Sequence, residues 1–97
     1  MPTPYKTTPV FDSDSLPQAL RNEHSTKQGV WGLLRVLAGE VRLVFKDPLR
    51  IVQVTPERPA PIPPQAVHHV EFDAPMQMQV EFYREYPLAD AGAIKRS

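Results

Sequence analysis

Met76-Gln77-Met78-Gln79-Val80-Glu81-Phe82-Tyr83 is the stretch that decides the fold class. Apolar and polar residues alternate along it with period two, and successive side chains on a strand point to opposite faces. Met76, Met78, Val80 and Phe82 share one face, and Gln77, Gln79 and Glu81 share the other. The apolar face is the one expected to point inward. Asp73-Ala74-Pro75 turns the chain ahead of this strand, and Pro87 ends it.

Working outward, residues 67–72 read as the preceding strand, with His68, Val70 and Phe72 on one face and His69 and Glu71 on the other. The chain reaches it through Thr55-Pro56-Glu57-Arg58-Pro59-Ala60-Pro61-Ile62-Pro63-Pro64, five prolines in ten residues. This run reads either as a stiff polyproline connection or as a PxxP ligand for an SH3 domain. Residues 30–37, Val-Trp-Gly-Leu-Leu-Arg-Val-Leu, read as a buried strand. Ala38-Gly39-Glu40 follows as a tight connection, with Gly39 supplying the positive φ that a hairpin turn commonly requires. Val41, Leu43 and Phe45 alternate with Arg42, Val44 and Lys46, Asp47-Pro48 closes that strand, and residues 50–54 make another short one. Residues 1–15, with three prolines and five serines or threonines, read as an extended arm anchored by Tyr5, Val10 and Phe11. Asp14 or Ser15 caps a brief helix with Pro17 at an early position.

Six or seven short strands with turns between them predict an all-β domain, a small barrel or sandwich. Composition agrees. Twelve prolines against four glycines in 97 residues leave room only for short elements. A proline-rich disordered chain is the rival, and the clean alternation between prolines argues against it. The expected organisation is an arm at 1–15, a β-barrel at 16–87 and a tail at 88–97. With no cysteine there is no disulfide framework, thiolate metal site or cysteine nucleophile. Eleven basic and eleven acidic residues cancel and are dispersed, so neither nucleic acid nor a membrane surface is an expected partner. The first residues lack the apolar run of a secretory signal, which makes the cytoplasm the expected compartment. Exposed edge strands make a homodimer the expected assembly.

Three clusters could carry chemistry. His68-His69-x-Glu71 reads as metal ligands or as ordinary polar residues, and the two histidines face opposite ways. His24 with Lys27 reads as a solvated turn unless the fold brings His24 against His68. Glu81, with Gln77 and Gln79, reads as a ligand or as part of a wet sheet face. No Walker A, Gly-x-Gly-x-x-Gly or serine-elbow pattern occurs.

The segment from Gly29 to Val44 looks like the first half of a cupin. Ile62-Pro63-Pro64-Gln65-Ala66-Val67-His68-His69-Val70 is similar to the second cupin motif, Pro-x-Gly-x-x-His, with Pro63 and His68 matching and Gln65 replacing the glycine. More closely, the chain from Pro4 to Arg84 resembles the TehB/YeaR-like family, a domain of tellurite-resistance proteins. Pro4-Tyr5-Lys6-Thr7-Thr8-Pro9-Val10-Phe11, His24-x-x-Lys27, Gly29-Val30-Trp31, Pro63-Pro64, His68, Glu71 and Glu81-Phe82 carry that resemblance.

The resemblance implies a cupin-like, jelly-roll β-barrel that binds a divalent transition metal (Zn, Fe or Ni) or a small or metalloid ligand, in tellurite resistance or stress response. His68 matches the second-motif ligand, and His24 lies where a first-motif histidine would be contributed. Glu81 or Glu71 would complete a two-histidine, one-carboxylate set. The chain departs from the pattern at Gly32, which stands where cupins carry a glutamate. Two alternatives go with this reading. One is a metal-dependent oxygenase or isomerase on the same site, with Lys27 or Glu71 positioning substrate. The other is a metal-free homodimeric interaction protein built on the Met76 to Phe82 stripe. Some family members join the domain to a methyltransferase that uses S-adenosylmethionine. At 97 residues this chain is too short to hold one, so methyl transfer is not expected to be its own.

Overall fold

A computed structural model of the chain describes residues 2–88. Its elements are β1 (Lys6–Thr7), β2 (Phe11–Asp12), α1 (Gln18–Arg21), β3 (Trp31–Ala38), β4 (Val41–Phe45), β5 (Arg50–Val54), β6 (Ala60–Ile62), β7 (His68–Glu71) and β8 (Gln77–Tyr83). The structure is therefore mostly strand, with one helix of four residues among the described ones. The expected tail, apart from Leu88, lies outside the described residues.

The strands form two antiparallel sheets. Sheet A runs β1-β8-β3-β6, with β2 also pairing β8, and sheet B runs β5-β4-β7. Their apolar faces pack together. Leu34 and Val36 of β3, Met78 and Val80 of β8, and Ala60 and Ile62 of β6 meet Val41, Leu43 and Phe45 of β4, Val54 of β5 and Val70 of β7. Leu34, Leu43 and Met78 have no exposed surface, and burying side chains of this size stabilises by roughly 1.5–3 kcal/mol each. The alternation of residues 76–83 thus places Met78 and Val80 inside and Glu81 on the outer face of sheet A.

Two local expectations are corrected. Residues 38–40 do not close a hairpin, because β3 belongs to sheet A and β4 to sheet B. Gly39 does have a φ of 76°, but the turn carries the chain from one sheet to the other. The proline run is not all connection either. Its residues 60–62 are β6, paired to β3 through Gly32↔Ile62, Leu33↔Pro61 and Leu34↔Ala60. A proline is tolerated on an edge strand when the side lacking its N–H faces away from the sheet.

The arm lies along β8, with Lys6 opposite Phe82 and Phe11 opposite Met78. Of its three expected anchors, Phe11 packs against the core, while Tyr5 and Val10 are about half exposed. The helix follows Pro17, and no side chain caps it. Asp12 acts one turn earlier, where its carboxylate accepts the N–H groups of Asp14 and Ser15, both at 2.9 Å. Those bonds hold its pKa below the usual carboxylate value. Among the described residues, no helix is long and apolar enough to cross a membrane.

Candidate functional site

His68 opens β7 on its inward face and is 2% exposed. A buried imidazole needs a partner for its N–H. Nδ1 of His68 lies 2.7 Å from the carbonyl of Ala66, so Nδ1 donates and Nε2 is left with a lone pair. Burial holds the pKa below 6.5, with the charges of His24 and His69 acting the same way and the Ala66 bond opposing. The ring is therefore neutral at pH 7.

The fold does bring His24 against His68. The main chains exchange two bonds, His24 N–H to His68 carbonyl at 3.0 Å and His68 N–H to His24 carbonyl at 2.9 Å. The ring centroids lie 4.3 Å apart. Thr26, two residues on, donates its hydroxyl to the Val30 carbonyl at 2.8 Å and accepts the N–H of Gln65 at 3.2 Å. Gln65 has a φ of 62°. The residue that replaces the motif glycine thus keeps the left-handed backbone that glycine takes most easily, and the Thr26 bonds hold it there.

Behind His24 lies a small, mostly apolar pocket of about 50 Å³, reached by Thr8, Leu34, Ile62, His68, Val80 and Phe82. In front of it opens a cleft of about 440 Å³ lined by Tyr5, Lys6, Leu20, His24, Lys27 and Phe82 among others. Arm, helix, β7 and β8 all contribute. Sequence reasoning missed Thr8, Leu20 and Phe82 as site residues, because only the three-dimensional meeting of arm, helix and β8 brings them to His68.

The two carboxylates are elsewhere. Glu81 faces outward from sheet A, where Arg35 Nε donates to it at 2.8 Å and the Tyr83 hydroxyl at 2.6 Å. Glu71 faces outward from sheet B, 2.7 Å from His69 Nε2 and 3.4 Å from Arg42 Nε. Arg42 also grips Asp73 with two bonds, at 2.6 and 3.1 Å. His24 and His68 are therefore together without Glu81 or Glu71. Among the described residues, no group of three His, Cys, Asp or Glu side chains could hold a metal ion.

A two-sheet β-domain with a buried histidine lining an interior pocket is the class that these features define. The chain belongs to the TehB-like family: the TehB-like domain matches residues 6–80. Over 72 residues it is 40% identical to the probable S-adenosyl-L-methionine-dependent methyltransferase TehB of Haemophilus influenzae strain 10810, and equally to that of strain Rd. The alignment covers 69% of this chain and 25% of each relative, so the chain spans about a quarter of the length of these curated relatives. The crystal structure of Haemophilus influenzae TehB superimposes with a TM-score of 0.74 at 33% identity, over 84% of this chain and 30% of that one. A protein from E. coli strain K12 shares the fold, with a TM-score of 0.75 at 19% identity, over 84% of this chain and 89% of its own.

These names correct the functional expectation. Relatives at 40% identity are called S-adenosylmethionine-dependent methyltransferases, which overturns the metal- or ligand-binding cupin, the oxygenase or isomerase and the interaction protein. The same name puts S-adenosylmethionine in place of the divalent transition metal as the implied cofactor. That cofactor does not fit either cavity at His24. The interior pocket is far below the roughly 300 Å³ at which small-molecule sites begin. The lining of the open cleft brings two lysines and no carboxylate for the ribose hydroxyls.

Proposed function

We propose that this chain serves S-adenosylmethionine-dependent methyl transfer of the TehB kind, as an all-β module that works at the methyl-acceptor end while the cofactor is bound elsewhere. The 40% identity to named methyltransferases carries the reading. It is supported by the poor fit of the cofactor here, which points to the three quarters of those relatives that this chain does not span. The open cleft at His24 is the part that we assign to the acceptor, one small protic group of which enters the 50 Å³ pocket lined by His68. A neutral Nε2 on His68 accepts a hydrogen bond from a protic acceptor, and Lys6 and Lys27 at the cleft suit a negatively charged one. Two packed sheets between which the chain repeatedly crosses support a jelly-roll-type barrel, with residues 1–15 as its arm.

The test is a transplant. Residues 6–80 of this chain replace the matching region of Haemophilus influenzae TehB, beside a TehB lacking that region. The transplant is expected to restore methyl transfer from S-adenosylmethionine, and the deletion to lose it. If the deletion is as active as intact TehB, the module has no part in the reaction.

A further inference from the structure

A strand at the edge of a sheet carries a row of unpaired N–H and C=O groups, and stable monomers blunt each such edge. Among the described residues the two sheets present four edges, two to each sheet. At one end of sheet A, β8 is covered by β1 and β2, strands of only two residues flanked by Pro4 and Pro9. At the other end is β6. Hydrogen-bonded and non-bonded pairs alternate along an antiparallel ladder, and Pro61 has no N–H to give β3. The bonded pairs must then be Gly32↔Ile62 and Leu34↔Ala60, and Pro61 turns its nitrogen to the free edge. Pro59 and Pro63 share its parity. The period-two prolines of Pro59-Ala60-Pro61-Ile62-Pro63 thus leave this edge without an amide donor.

In sheet B, the β7 edge is capped at its start by His24, which exchanges both main-chain bonds with His68. The β5 edge has no such device. Arg50–Val54 pairs only with β4 among the described residues, in unbroken register and without a proline. Ile51 is 58% exposed, and Leu49 just before it is 73% exposed.

We propose that β5 pairs antiparallel with β5 of a second copy, about a two-fold axis at Val52, giving a continuous six-stranded sheet. The strand is complementary to itself in this register. Val52 meets Val52, Ile51 meets Gln53, and Arg50 meets Val54. The two Arg50 side chains then stand four positions apart along the ladder, about 13 Å, so like charges do not oppose. Arg50 is also folded back over the Phe45 ring, 4.7 Å from its centroid, which leaves the edge uncluttered.

The chain has no cysteine, so a single introduced thiol reports cleanly. Opposed residues on an antiparallel ladder lie roughly 4.5–5.5 Å apart at Cα, within disulfide range. Wild-type protein is expected at twice 11.0 kDa by light scattering at high concentration. Val52→Cys should give a covalent dimer on mild oxidation, while Val10→Cys, on the exposed arm, should not. Ile51→Lys should give a folded monomer that still unfolds cooperatively, with a Tm that no longer rises with protein concentration. A wild-type mass of 11.0 kDa at every concentration would overturn the proposal and return the edge to a different partner strand. So would an Ile51→Lys protein that dimerises as tightly as wild type, or a Val52→Cys dimer that stays unlinked.

Discussion

Gly39→Ala separates two costs that the structure places at one residue. Gly39 has a φ of 76°, and a Cβ added there would lie 2.7 Å from the Pro75 carbonyl oxygen and 3.2 Å from both Cα and Cβ of Met76. The left-handed backbone costs an alanine about 1–2 kcal/mol. The carbonyl contact forces backbone to move, and Met76, 2% exposed, has no space to yield. Forced overpacking of this kind adds about 1–3 kcal/mol. Together these give about 2–5 kcal/mol, a large part of the roughly 5–15 kcal/mol that holds a domain of this size. Gly29→Ala is the matched control. Its φ is 77°, but nothing lies within 4 Å of the added Cβ, so only the conformational cost applies. Urea unfolding at pH 7.5, followed by the fluorescence of the single tryptophan, Trp31, reads both losses. The loss at Gly39 should exceed that at Gly29 by about 1–3 kcal/mol. Equal losses would refute the packing of the sheet-to-sheet turn against residues 75–76.

Other outcomes follow from the ion pairs and the buried imidazole. Glu81→Gln should cost about 1–2 kcal/mol in the same assay, because Arg35 and Tyr83 both lose a charged partner whose side chain is 17% exposed. A loss below about 0.5 kcal/mol would contradict that role. His68 is held below 6.5 in the folded state, chiefly by burial, so below pH 6.5 the unfolded chain binds a proton that the folded chain refuses. Its contribution is therefore fully present above 6.5 and is lost as pH falls through the window down to the lowered value. Stability measured at pH 7.5 and 5.5 should fall in the wild type and change less in His68→Phe. An equal fall in both proteins would remove His68 as the cause. These pH values stay clear of Asp12, Glu71 and Asp73, whose pKa values lie below 4.5.

How much of this was legible in the chain depends on range. The alternation of residues 76–83 marked both a strand and its inner face, because period two is a property of the backbone and needs no partner. Gly39 announced a positive φ, yet a glycine turn between alternating segments says nothing about whether the flanking strands share a sheet. β6 was hidden because five prolines read as a connector, and only pairing to β3 shows that their missing donors face outward. At the site, the burial of His68 and its meeting with His24 are long-range events that no local pattern encodes. The carboxylates were misplaced for a related reason. Glu81 was already on the polar face by parity, but whether that face turns to a lumen or to Arg35 and Tyr83 is decided by packing. The methyltransferase link came from relatives, since the residues of this chain contain no cofactor motif.

The central claim is that this β-module acts at the acceptor end of S-adenosylmethionine-dependent methyl transfer through the open cleft at His24 and the pocket lined by His68. Its most direct test uses the TehB transplant carrying residues 6–80 of this chain, with His68 intact or changed to Phe. Methyl transfer is measured against acceptor concentration, and cofactor affinity by titration. The account predicts a raised KM for the acceptor, by tenfold or so if a hydrogen bond worth about 1.4 kcal/mol is lost, with the affinity for S-adenosylmethionine unchanged. An unchanged acceptor KM in a folded His68→Phe transplant would contradict it.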